Sequence, residues 1–294
     1  MKSWYALVQR EFLEHRGAFV FAPAALVAAL IAAIALAFVS APITVVRGAG
    51  GPTAATIYEG LCLIGVAGWS AYMLIGLYFY FGDSFSADRK NNALLFWKSM
   101  PQSDLKILGS KLLAGATIFP LLILGWLIVT TAVGYLATVL FAVRIPEFGA
   151  PDPLTAIAIW FQVITAGIVY FALSLLWYAP IFGWVGGLST VFRGWSIPLS
   201  FAIPAAAVAA EMVLTFSGGE PRSAFGEFLS WRFSGFYGED QVAPMLLSGG
   251  GVSAARMISE MVAAIDWPWL AGGLAFTAAA TWAASEYRRR RIEA

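Results

Sequence analysis

Charge is scarce in this chain. Only 12% of its 294 residues are charged, while 60% are hydrophobic. Soluble domains carry about twice that share of charge. Cysteine and histidine are nearly missing too. The one cysteine, Cys62, excludes an internal disulfide and any cysteine-based metal cluster. The one histidine, His15, stands among Arg10, Glu11, Glu14 and Arg16, where a solvated imidazole is expected and a zinc or haem site is not. A net charge of +1 gives no field suited to nucleic acid. No G-x-x-x-x-G-K-[ST] is present to cradle ATP phosphates, no H-E-x-x-H to bind zinc, and a Ser-His-Asp triad would have to use His15. The sequence therefore reads as a non-catalytic chain without a cofactor or metal of its own.

What fills the chain instead is long apolar runs. A span needs about 20 apolar residues to cross a hydrocarbon core about 30 Å thick. Six runs qualify: 18–39, 58–81, 112–143, 154–177 (continuing past Pro180 towards 188), 197–216 and 269–285. The third is longer than required and is expected to tilt or project. Pro180, Pro198 and Pro204 fall within or near spans, where neighbours must satisfy the backbone groups that proline frees. The first run is too long for a signal-peptide core and is read as a retained span. The expected fold is an all-α polytopic membrane protein.

Basic residues orient it. With the N-terminus inside, the inner loops hold Lys2, Arg10, Arg16, Arg89, Lys90, Lys98, Lys106, Lys111, Arg193 and Arg288 to Arg291, against Arg47, Arg144, Arg222, Arg232 and Arg256 outside. Both termini are then cytoplasmic, as in a bacterial inner-membrane protein, and the tail 288–291 is placed to meet anionic headgroups. Residues 1–16 form a first unit, with Trp4, Val8 and Phe12 on one side of a helix. That suits an interfacial elbow helix, or else a plain extension of the first span. Residues 17–216 hold spans one to five and an inner loop, 82–111. Residues 217–268 form a small extracytoplasmic helical cap with helices over 223–236 (Phe225, Leu229 and Phe236 aligned) and 253–265 (Ile258, Val262 and Ile265 aligned). Residues 269–294 are the sixth span and a basic tail.

Ionisable residues inside spans usually mark function. Glu59 and Asp83 sit at the ends of the second span, where water reaches them; the one acid deeper inside a span is Glu211, read either as pathway lining or as a buried hydrogen-bonded partner. Tyr72, Tyr78 and Gln162 are the other polar candidates along a pathway suited to an amphiphile, and serve equally well as interhelical hydrogen bonds.

The inner loop is richer than a connector needs to be. Leu94, Leu95, Phe96 and Trp97 stand among Arg89, Lys90 and Lys98, Pro101 ends the short helix, and Ser103 is placed to cap a new helix from Asp104. The apolar cluster suits either a knob on a lever or an aromatic anchor in the interface.

The stretch Asp88-Arg-Lys-x-x-Ala-Leu-Leu-Phe-Trp-Lys-Ser-Met-Pro-x-Ser-Asp, followed by Ser110-Lys-Leu, resembles the loop after the second span in permeases of the type-2 ABC exporter family. The opening Arg10-Glu-Phe-x-Glu-His-Arg16 and the outer Ser230-Trp-Arg-x-Ser-Gly235 are similar to that family as well. The resemblance implies a homodimer around a translocation pathway, with two cytoplasmic P-loop ATPase subunits beneath that carry ATP and Mg. It implies that Arg89, Leu95, Phe96, Trp97, Lys98 and Pro101 form the coupling helix, with Asp104 as a cap or ion-pair partner. The alternatives are an ATPase-linked scaffold acting on an envelope partner, or a self-sufficient carrier or channel.

Overall fold

The computed structural model describes residues 2–40, 53–90, 103–145, 149–216, 222–235 and 253–293, and every regular element among them is helical. α1 (Lys2–Arg16) passes through a π-helical turn (Gly17–Phe21) into α2 (Ala22–Ser40). α3 is Ala54–Lys90, α4 is Asp104–Ala116, α5 is Ile118–Arg144 and α6 is Pro153–Phe192. A 3-10 turn at Arg193–Trp195 leads to α7 (Ser196–Thr215), then α8 (Ala224–Phe233), α9 (Ala254–Ala264) and α10 (Trp267–Glu293).

Four stretches are long and apolar enough to cross a membrane: Trp4–Ser40, Ala54–Ala87, Asp104–Arg144 and Pro153–Thr215. The pair α9 and α10, bent by 72°, makes a fifth if taken as one broken span. Leu36, Val39, Ile64, Leu121 and Leu136 all point away from the protein. Apolar surface this extensive marks a lipid-facing wall. The chain has the build of a multi-pass membrane protein.

The stretch Pro153–Thr215 has 63 residues. Straight, it would reach about 95 Å. It does not run straight. At Arg193 the backbone turns to φ +53°, and α7 returns beside α6, where Trp184 Nε1 donates to the Ser200 carbonyl at 3.3 Å. Ser196 closes the bend against α3 by donating to the Gly82 carbonyl at 2.6 Å.

Proline explains several local features. It has no N–H, so the carbonyl four residues earlier loses its partner. Pro204 frees the Ser200 carbonyl, and the Trp184 indole fills it, as expected for a proline inside a span. Pro23 frees the Phe19 carbonyl, which accepts from Trp126 Nε1 at 3.3 Å. Just before it, the Ala22 N–H bonds to the Gly17 carbonyl in π register. The Ala18 carbonyl is thereby left over, and it accepts the Tyr72 hydroxyl at 2.5 Å. Pro120 leaves the Ala116 carbonyl without its ladder donor, and the helix breaks there, with Thr117 at φ −126°, ψ −70°. The third apolar run thus lies in one long stretch, Asp104–Arg144, interrupted at Thr117 between α4 and α5.

The core is built on α3 and α6, which run parallel. A methyl added at Gly167 would lie 3.1 Å from Val66, and one at Gly186 would lie 3.1 Å from the Phe85 ring. The interval from 66 to 85 matches that from 167 to 186, so the two helices keep register. α10 joins this pair where Gly183 meets the Thr277 backbone.

α8 and α9 lie beside α6. In α9 the buried face is Ala254, Met257 and Met261, continued by Ile265, while Val262 is exposed. The expected alignment of Ile258, Val262 and Ile265 is offset from this face, because the methionines pack on Leu173 and Trp177. Arg232, counted above among the outer bases, is buried. Its guanidinium lies 4.2 Å over the Trp177 ring and donates to the Trp177 carbonyl at 2.5 Å. Trp177 in turn donates from Nε1 to the Arg232 carbonyl at 3.0 Å. Trp177 lies midway between Gly167 and Gly186, about 14 Å along the helix from each. Arg232 is therefore docked beside the middle of the α3–α6 pair.

Candidate functional site: a short helix gripped from two sides

The site is built around α4. Its N-terminus is fixed locally, since the Ser103 side chain accepts from the Lys106 N–H at 3.3 Å. The cap and the start at Asp104 stand where the sequence put them. Its C-terminus is the break at Thr117. With 13 residues between these limits, α4 is a short rod held from two sides.

On one side lies α1. Lys111 Nζ sits 2.8 Å from Glu11 Oε1, and the two side chains are 1% and 3% exposed. The Tyr80 hydroxyl lies 2.9 Å from the other Glu11 oxygen and 3.2 Å from the Lys111 carbonyl. His15 is half-buried with its ring edge-on to Tyr80 at 4.7 Å. The solvated position expected for it is therefore corrected: it packs because α1 lays that face on α3 and α5. Ligand atoms of Glu11, Glu14 and His15 come within 4.8 Å of one another. Both Glu11 oxygens are engaged by Lys111 and Tyr80, and Glu14 is engaged by Arg10 at 2.6 Å, so the cluster is an ion-pair network.

On the other side lies α10. Arg288, 1% exposed, places Nε 3.2 Å from Asp104 Oδ1 and an Nη 3.4 Å from the Phe85 carbonyl. The expectation that the basic tail faces headgroups fails for this residue. Arg289 and Arg290 are exposed and pair with Glu286 at 2.8 Å each.

Of the residues tied to coupling by resemblance, Asp104 is the ion-pair partner of Arg288. Arg89 falls in the last turn of α3. Leu95, Phe96, Trp97, Lys98 and Pro101 lie outside the described residues. The two feet of their segment are described, however, and both are held by Arg288.

The elbow residues are only partly placed for lipid. α1 continues into α2 without a loop, the arrangement named above as a plain extension. Trp4 covers Gly109 and lies 6.0 Å from Lys106 Nζ, and Val8 packs on the core. Phe12 is half-buried, and the buried face of α1 is Leu7 and Glu11.

The four candidate pathway residues all tie elements together. Tyr72 holds the Ala18 carbonyl and borders an apolar groove with Leu26, Leu30, Gly65 and Gly68. Tyr78 shares a hydrogen bond with Ser200. Gln162 Oε1 accepts from the Ala254 N–H at 2.7 Å. Glu211 accepts from the Ser223 hydroxyl and from the Ala224 and Phe225 N–H groups. Gln162 and Glu211 thus each meet the N-terminus of a short helix, α9 and α8 respectively. They are spread over different helices and do not form one cluster.

Glu11, Lys111, Arg232 and Arg288 were not singled out in sequence. Each looks like an ordinary surface charge until helix phase and partners are known. No protein-family model, curated protein or solved structure matches the chain.

Proposed function

We propose that this chain is the transmembrane subunit of an ATP-driven exporter of the type-2 ABC class. In this reading it crosses a bacterial inner membrane six times. Dividing Pro153–Thr215 at the Arg193 bend gives spans four and five, and α9 with α10 forms the sixth. Both termini are cytoplasmic, two copies line a pathway for an amphiphile, and two separate ATPase subunits carrying ATP and Mg dock at the loop 82–111.

The observation that supports this best is the convergence at one end of the molecule. Helix α1, the end of α3, the start of α4 and the end of α10 are joined there by the buried Glu11–Lys111 pair, by the pair between buried Arg288 and partly exposed Asp104, and by the Arg288 hydrogen bond to the Phe85 carbonyl. Burying charge is costly unless it is paired. A simple connector between two spans needs no such frame, whereas a loop that must receive a push does. Placing N- and C-terminal helices at the same end also agrees with an even number of crossings.

The test is co-purification. Affinity capture of the chain in mild detergent should bring down a P-loop ATPase in equal amount, and Phe96→Ala with Trp97→Ala should lose it while the chain still inserts. Wild-type chain with no ATPase, or a double variant that retains it unchanged, overturns the reading. Transport by the chain alone in liposomes without ATP would point to the carrier alternative.

A further inference from the structure

The segment 91–102 stands on two feet, the last turns of α3 and the first turn of α4. Each foot is fixed on its own. Phe85 packs against Gly186 of α6 so closely that a methyl there would lie 3.1 Å from its ring. Asp104 follows the Ser103 cap, and one flank of α4 is gripped by Glu11 through Lys111. Further along, Tyr80 already joins α3 to the Lys111 carbonyl of α4; among the described residues, the side chain that bridges the feet themselves is Arg288. It reaches the Phe85 carbonyl on one foot and the Asp104 carboxylate on the other, from a position 203 residues after Phe85.

Arginine suits this task. Its delocalised charge pairs with the Asp104 carboxylate while one Nη donates to the Phe85 carbonyl, so one side chain meets both feet. Its neighbours show the alternative. Arg289 and Arg290 are exposed and pair with Glu286 of their own helix. Arg288 instead turns inward and loses its water, which is unfavourable unless the partners are held in place. The helix it grips is set off from α5 by the irregular turn at Thr117. The helix it comes from packs on α6 where Gly183 meets Thr277.

We propose that Arg288 is a positioning residue that clips the two feet of the 91–102 segment together, and makes the C-terminal helix a member through which displacement of that segment reaches α6. The relay to an ATPase rests on the function proposed above. The clip itself does not.

The experiment is dipolar electron paramagnetic resonance on the full chain in lipid nanodiscs. Spin labels are placed through Lys90→Cys and Leu105→Cys in a Cys62→Ala background. The wild-type frame should give one narrow distance distribution. Arg288→Gln should broaden it and Arg289→Gln should not. Asp104→Asn should broaden it as well, because Ser103 and not Asp104 caps the helix, so this variant stands in if Arg288→Gln fails to fold. Arg288→Lys should recover part of the narrowing. A distribution left narrow by Arg288→Gln or by Asp104→Asn overturns the clip.

A second arm uses the co-purified ATPase. Arg288→Gln should leave it bound but lower the chain's stimulation of ATP turnover severalfold. Full stimulation in that variant overturns the relay. If the wild-type chain captures no ATPase, the exporter reading fails, and the resonance result still decides the clip.

Discussion

Lys111 and Glu11 stand 100 residues apart in sequence and 2.8 Å apart in the fold, both almost fully buried. This pair ties the first helix of the chain to α4. A buried pair of this kind is strongly asymmetric in its mutants. Removing one partner leaves a charge in a dry site and costs roughly 3–5 kcal/mol, whereas replacing both by apolar groups is often near neutral. Glu11→Gln should therefore sharply lower the unfolding temperature of the detergent-purified chain. Glu11→Leu combined with Lys111→Met should recover most of the loss. Equal unfolding temperatures for wild type and Glu11→Gln would show that the pair does not anchor α4.

The indole of Trp184 answers the carbonyl that Pro204 opens at Ser200. Trp184→Phe keeps most of the ring and removes the donor. Interhelical hydrogen bonds in membranes contribute about 0.6 kcal/mol on average and up to about 1.7, and the variant should lose an amount in that range. In a Pro204→Ala background the helix can supply its own donor to Ser200, so the same change should cost less. A double-mutant cycle on thermal unfolding measures the difference. Equal costs in both backgrounds would mean that the indole contributes only packing.

These pairings also show what the sequence could and could not tell. The apolar runs, the Ser103 cap and the helix start at Asp104 were legible because hydropathy and capping are local. The break at Thr117 had a visible cause in Pro120, but apolar length alone masked it. Arg288 was not separable from Arg289 and Arg290, since the three are chemically identical and only the phase of α10 against α3 and α4 selects one. Arg232 was counted only as an outer base, since charge counting cannot foresee that α8 lays its last turn against Trp177. In α9 two apolar faces compete. The methionine face packs inward, into the buried cluster that holds Leu173 and Trp177. Along the supposed pathway, Tyr72, Tyr78, Gln162 and Glu211 were chosen for being polar in an apolar run. In the fold that same polarity serves a carbonyl, a hydroxyl and two helix ends.

Glu211 gives the sharpest case. Its Oε2 accepts from the Ser223 hydroxyl at 2.6 Å and the Phe225 N–H at 3.0 Å, and its Oε1 accepts from the Ala224 N–H at 3.1 Å. The first N–H groups of a helix have no partner within it, and negative charge is favoured at that end. Glu211 thus caps α8 from α7, while Arg232 fixes the far end of α8 on Trp177. Glu211→Ala should speed amide hydrogen exchange at Ala224 and Phe225 and leave α9 unchanged, because α9 starts on Gln162. Glu211→Gln, which keeps an acceptor but no charge, should give a smaller effect at the same amides. If Glu211 serves cargo instead, Glu211→Gln will alter transport while exchange at 224 and 225 stays at the wild-type rate. Unchanged exchange in Glu211→Ala would remove the cap and return this carboxylate to the pathway.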